Sequence, residues 1–226
     1  MKKFAIALVI LAMAAPAFAV STDVRISQAY GGGGSASATA SFNQDYVELF
    51  NASGFDVDIS GWTIEYASNT GSWGSSATNI FTFPADSWIA GCSYVLVAFG
   101  TPSAGGATLS APDYTGNLTM SATSGKVALF NAVNTNLACG LELPGTLVDK
   151  ISFGTANCPE GTNVGALSVT TAAVRNGGGT VDTDNNLADF AIVTGAMPNN
   201  STTPPTACAP VATETESFGS IKAIFR

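Results

Sequence analysis

The chain has 226 residues, 24 of them Gly and 10 Pro, no histidine and a formal charge of −8; Asp, Glu, Lys and Arg together make 11% against a hydrophobic share of 46%. Globular domains carry roughly 25% charged residues, so salt-bridged helix faces and basic arms are excluded while a sizeable core is not. Without histidine there is no Ser-His-Asp or Cys-His pair, no His-containing zinc site and no imidazole base.

Lys2 and Lys3 precede an apolar run from Phe4 to Ala15, then Pro16 and Ala17-Phe18-Ala19. This succession predicts a cleavable export signal over 1–19, its apolar run short of the ~20 residues of a bilayer span. Cleavage before Val20 deepens the formal charge from −8 to −10. The remaining Arg25, Lys126, Lys150, Arg175, Lys222 and Arg226 stand singly, so direct nucleic-acid binding is not expected.

Strand signals then recur over Val24–Tyr30, Asp45–Asn51, Trp62–Tyr66, Tyr94–Phe99, Lys126–Phe130, Leu147–Phe153 and Asp189–Thr194, separated by Gly, Ser, Asn and Pro clusters. No window sustains a helical period. These elements predict an all-β antiparallel sandwich with long loops, one domain over 20–200, followed by a Pro/Thr linker and C-terminal segment over 201–226. Alternation groups Val47 with Leu49, and Trp62 with Ile64 and Tyr66. Each strand is therefore expected to have one core side and one wet side, with Glu48 on the open face.

The Gly31–Gly34 run opens no helix and so is not a phosphate loop. Ser124-Gly125-Lys126-Val127 lacks the hydroxyl of a Walker motif, and Asp56 and Asp58 sit too close on one strand to flank a glycosidic bond. Aromatic residues gather around the Ser/Gly/Asn/Thr region 67–85: Tyr66, Trp73, Phe81, Phe83 and Trp88. Phe81 and Phe83 are assigned to the core. Trp73, between Ser72 and Gly74, is the candidate ligand-binding anchor, with capping of the sandwich edge as the competing reading.

Four cysteines, at 92, 139, 158 and 208, read as disulfides in an exported chain, with three pairings open. Cys139 and Cys158 bracket the apolar segment around Leu147–Phe153, so their bridge closes a modest loop worth roughly 3 kcal/mol. Cys92 and Cys208 then pair by exclusion, unless either is free or intermolecular. Near the end, Asp182, Asp184, Asn186 and Asp189 offer oxygens at alternate positions. Two readings stand: a Ca²⁺ site, the one cofactor the sequence suggests, or side chains that hold turns.

Asp45-Tyr46-Val47-Glu48-Leu49-Phe50-Asn51, followed by Val57-Asp58-Ile59-Ser60-Gly61-Trp62-Thr63-Ile64, resembles the lamin-tail domain family. Ile26–Gly34, Gly125–Leu129 and Asp182–Phe190 extend the similarity, over roughly Val24 to Ser201, to the long bacterial secreted form found in front of extracellular nucleases. The resemblance implies an immunoglobulin-like β-sandwich with a scaffolding or binding role, and no catalytic domain is carried with it. Many bacterial relatives have a cysteine where this chain has Thr180, so their disulfide partners do not transfer. The expected function is a secreted, non-enzymatic binding or structural module at the cell surface or in the extracellular matrix, its partner an extracellular protein or glycan. The alternative is an accessory module that targets an extracellular nuclease or other hydrolase carried on another chain.

Overall fold

The computed structural model describes residues 24–205 and Cys208. The export signal expected over 1–19 and most of the 201–226 segment lie outside the described residues. The chain forms strands β1 (Val24–Tyr30), β2 (Asp45–Asn51), β3 (Val57–Asp58), β4 (Thr63–Ala67), β5 (Ile80–Thr82), β6 (Trp88–Ile89), β7 (Tyr94–Phe99), β8 (Tyr114–Gly116), β9 (Gly125–Phe130), β10 (Leu147–Phe153), β11 (Thr171–Arg175) and β12 (Phe190–Thr194), with a single turn of α-helix, α1 (Asn186–Asp189). One sheet runs β12-β11-β1-β2-β7-β8, a second β10-β9-β4-β5, and β3 pairs with β6 as a separate ribbon. Neighbours are antiparallel except β7 and β8.

The two main sheets face each other across an apolar core. Val47 and Leu49 of β2, in register with Val97 and Val95 of β7, meet Ile64, Val127, Leu129, Ile151 and Phe153 of the opposite sheet. This is the predicted immunoglobulin-like sandwich, and the period-2 alternation of β2 and β4 is what turns one set of side chains inward.

The outer faces are not wet. Over the six-stranded sheet, Phe42, Leu109 and Ala196 from loops join Tyr30, Tyr46, Leu96 and Ala98 in a second cluster. The rings of Tyr30, Phe42 and Tyr46 lie 5.4 to 5.9 Å apart. Over the four-stranded sheet, Trp73 covers Ala67, Ala128 and Phe130. Glu48 is accordingly only 1% exposed, contrary to the open face expected for it. Its carboxylate accepts from Ser27 Oγ at 2.5 Å, Gln28 Nε2 at 3.0 Å and the Asn199 amide at 2.5 Å. Long loops rich in small residues fold back on both sheets, so alternation marks which core a side chain enters rather than whether it is buried.

A bulge in β1 between Ile26 and Gln28 interrupts its ladder with β2. On the other side, β1 pairs with β11 only at Gln28 and Ala29. Beyond that point the main-chain groups of Ile26 are met by side chains: its amide donates to Asp149 Oδ2 at 2.6 Å, and its carbonyl accepts from Arg175 Nε at 2.8 Å. The two sheets are stitched together where the backbone ladder stops, as buried polar backbone requires.

Both disulfides are formed, Cys139–Cys158 with Cα atoms 5.6 Å apart and Cys92–Cys208 with 5.3 Å, and no cysteine is free among the described residues. Such pairing marks a chain that folds in an oxidising environment. No helix among the described residues is long and apolar enough to cross a membrane.

Candidate functional site

The acidic segment is organised around arginine. Arg175, at the end of β11, is fully buried; its NH2 lies 2.6 Å from Asp149 Oδ2, and its NH1 lies 3.4 Å from Asp182 and 3.7 Å from Asp189. Arg25 Nε reaches Asp182 at 3.3 Å, and the Phe190 ring lies 4.4 Å from the Arg175 guanidinium carbon. Burial opposes charge on Arg175, yet the carboxylates beside it raise its pKa above its ordinary value. Asp189 also accepts from the Thr183 amide, the Thr183 hydroxyl and the Asn185 amide, which makes it the clamp of a turn.

Asn186 points elsewhere. Its Oδ1 accepts from the Ser152 and Glu160 amides at 3.0 and 3.2 Å, while its Nδ2 donates to Lys150 O at 3.0 Å. Asp184, at φ +54, belongs to the rim of a small pocket of about 50 Å³ lined by Lys150, Pro159, Glu160, Gly161 and Asp184. The four oxygen-bearing residues proposed for Ca²⁺ thus do not converge on one point: Asp182 and Asp189 face guanidinium groups, and Asn186 holds backbone. The turn reading is what the geometry supports. The pocket itself has space for water and not for a ligand of several hundred Å³. Glu160 there is pushed up to about 8 by burial, with the nearby Asp149 charge adding to the effect.

Trp73 is 0% exposed, which corrects its assignment as a ligand anchor. It forms an antiparallel bridge with Leu137, stacks edge-on against Phe130 at 5.7 Å, and donates its indole N–H to Glu142 Oε1 at 2.8 Å. An indole with an apolar sheet below it and a carboxylate at its polar edge is a lid. That carboxylate lies 69 residues away in the chain, so no local pattern around Ser72-Trp73-Gly74 reports it.

The exposed aromatics lie at another edge. Phe55 is 70% exposed and Trp88 54%, at opposite ends of the β3–β6 ribbon, where Val57 pairs with Ile89 and Asp58 with Trp88. Ile89 faces the core and Trp88 faces out, as alternation demands. Asp56, Asp58 and Asp86 surround the two rings in the chain, and Asp58 Oδ1 accepts from the Ser60 amide at 2.9 Å.

The ribbon is braced from beneath. Asn51 is fully buried, its Nδ2 donating to the carbonyls of Phe55 at 2.7 Å and Ile89 at 3.0 Å, its Oδ1 accepting from the Ser53 amide and hydroxyl. Asn51 thus ends β2 by holding the turn that follows it. The Asp56 carboxylate accepts from the Gly91 amide at 3.1 Å, and the adjoining Cys92 is bonded to Cys208. Gly54-Phe55-Asp56 and Asp86-Ser87-Trp88, large rings flanked by turn residues, are the sequence signals that mark this edge.

The Lamin Tail Domain profile matches residues 18–155. Among solved structures, the chain resembles a DUF4876 family protein from Bacteroides thetaiotaomicron VPI-5482, with a TM-score of 0.50 and 12% identity over 84% of this chain and 75% of that one. At that identity the likeness concerns the fold. No curated protein matches. The profile spans the core of the sandwich from before β1 to the end of β10, and the chain belongs to the lamin tail domain family.

Proposed function

We propose that this chain is an exported, non-enzymatic lamin-tail module that binds an extracellular glycan or protein surface, at the cell surface or in the matrix, through the edge that carries Phe55 and Trp88. In this reading 1–19 is the export signal, 20–200 the binding domain and 201–226 a linker and terminal segment. The observation that carries it is the pair of large rings held out to solvent on a ribbon braced by Asn51 and by a disulfide. Large apolar side chains placed there gain nothing for the fold and present flat faces to a sugar or an apolar patch, with carboxylates able to accept from hydroxyl or amine groups. The buried carboxylates Asp45, Glu48, Asp149 and Asp189 all accept hydrogen bonds that hold the structure together, which supports the non-enzymatic reading.

Purified protein tested against arrayed polysaccharides and against whole cells is expected to bind. Trp88→Ala, and separately Phe55→Ala, is expected to weaken that binding by about tenfold or more, the worth of about 1.4 kcal/mol at one aromatic anchor, with thermal stability unchanged. Binding that survives both substitutions would place the contact elsewhere and sink this assignment.

A further inference from the structure

Beneath the Trp73 lid stands an arrangement that the binding role does not use. Lys126 of β9 points to the outer face of the four-stranded sheet and is 0% exposed. Its Nζ lies 5.3 Å from the Trp73 ring centroid and meets the side-chain carbonyl oxygen of Asn157. No carboxylate pairs with it at ion-pair distance among the described residues. A buried ammonium whose hydrogen-bond partner is a neutral amide, with an aromatic ring as its other neighbour, is an unfavourable way to end a long side chain. As a set of reagents the same groups make sense: an amine, a carboxamide, and a carboxylate close by.

The carboxylate is Glu142, whose charge acts on Lys126 and which also accepts from Trp73 Nε1 and the Gly140 amide. The Cys139–Cys158 bridge positions both partners. Cys158 follows Asn157 directly, Cys139 precedes Glu142 by one turn of chain, and the Cys158 Sγ lies 3.7 Å from Glu142 Oε1. The Asn157 backbone is fixed by its amide, which donates to Asn69 O at 2.8 Å. Its position at the surface leaves a small product an exit.

We propose that Lys126 and Asn157 join in an intramolecular isopeptide bond. The Lys126 ammonium gives up a proton that Glu142, beyond direct contact, receives through one bridging water, and the amine Nζ attacks Cγ of Asn157. The C–Nζ bond forms and the C–Nδ2 bond breaks. One proton of the attacking nitrogen leaves with Nδ2 as ammonia, and Glu142 returns its proton to give ammonium. No oxidant or cofactor enters the balance. Burial lowers the Lys126 pKa, with the Glu142 charge opposing, which enlarges the amine fraction. Burial also works to raise Glu142, but hydrogen bonds from backbone amides and Trp73, together with the Lys150 charge, hold it below its ordinary value and keep it a proton acceptor.

The test is mass spectrometry of the purified, oxidised protein and of its reduced proteolytic digest. The expected result is a chain lighter than its disulfide-bonded sequence by one ammonia, and a branched peptide joining Lys126 to Asn157 that survives reduction. Lys126→Arg and Asn157→Ala should restore the full mass. Asn157→Asp should lose water in place of ammonia, and Glu142→Gln, which keeps an acceptor for Trp73, should leave the chain unlinked. Separate Lys126 and Asn157 peptides from the unaltered protein would overturn the proposal. So would an ammonia deficit that persists in Lys126→Arg, the signature of succinimide formation at a site such as Asn176-Gly177. A Glu142→Gln chain that links as readily as the parent would overturn the proton transfer assigned to Glu142.

Discussion

Arg175 is the side chain on which most of the interior polarity depends. It contacts Asp149, Asp182 and Asp189, and satisfies the Ile26 and Val181 carbonyls. Arg175→Met keeps much of the volume and removes the cation, leaving Asp149 and Asp189 without an ion-pair partner and Asp182 with Arg25 alone in a buried setting. The expected loss is about 3–5 kcal/mol, measured as a lowered denaturant midpoint; a loss below about 1 kcal/mol would show that the carboxylates neutralise themselves. The sequence displayed the acidic spacing 182–189 and hid its partner. Arg175 and Arg25 reach the same aspartate from positions 150 residues apart in the chain, on β11 and β1. Local spacing is equally compatible with a cation loop and with a guanidinium clamp, and only the sheet order decides. The tryptophans repeat the lesson: Trp73 gained its partner from Glu142, whereas Trp88 took its exposure from strand alternation beside Ile89.

Among the elements, β1, β2, β7 and β10 run over the residues that apolar and β-branched patterning assigns to them, because each carries its own core face. The central strand β11 was not legible. Its Thr171-Ala172-Ala173-Val174-Arg175 is weak in strand formers, and it holds its place by pairing with β1 and β12. The one-turn helix α1 likewise replaces the strand start expected at Asp189, since Asn186 and Asp189 are committed to backbone groups. The Cys139–Cys158 pairing preferred from spacing is formed, as is the Cys92–Cys208 pairing reached by exclusion, and their spans differ: 19 residues for the first, 116 for the second. In the chain-entropy account, removing the first bridge by paired Cys→Ser changes costs about 3 kcal/mol and removing the second about 4–5 kcal/mol. Calorimetry of the two double variants checks the order; an equal or reversed loss would mean that local packing, not loop length, sets their worth.

For the whole molecule, the two carboxylates that β2 carries into covered surroundings shape its response to pH. Burial raises Asp45 to about 6, against the pull of hydrogen bonds from the Met120 and Gly33 amides, and raises Glu48 to about 7, against hydrogen bonds from Ser27 and Asn199. In the unfolded chain these groups ionise near 3.8 and 4.5. Across the interval up to about 7 the folded state therefore holds more protons than the unfolded one, and stability falls as pH rises through it. The melting temperature is expected to be higher near pH 5 than near pH 8, with Glu48→Gln flattening the slope; a constant or rising value over that range would contradict the burial of these carboxylates.

The Cys92–Cys208 bridge has a mechanical meaning as well. Cys92 stands just ahead of β7, which lies inside the six-stranded sheet between β2 and β8. A pull applied beyond Cys208 and resisted at the N-terminal end passes through the sulfur bridge, so the 116-residue span behind it cannot be drawn out. The contour that tension can release is limited to the chain ahead of Cys92. In the surface role proposed above, the larger part of the module is in this way kept from being drawn out by shear.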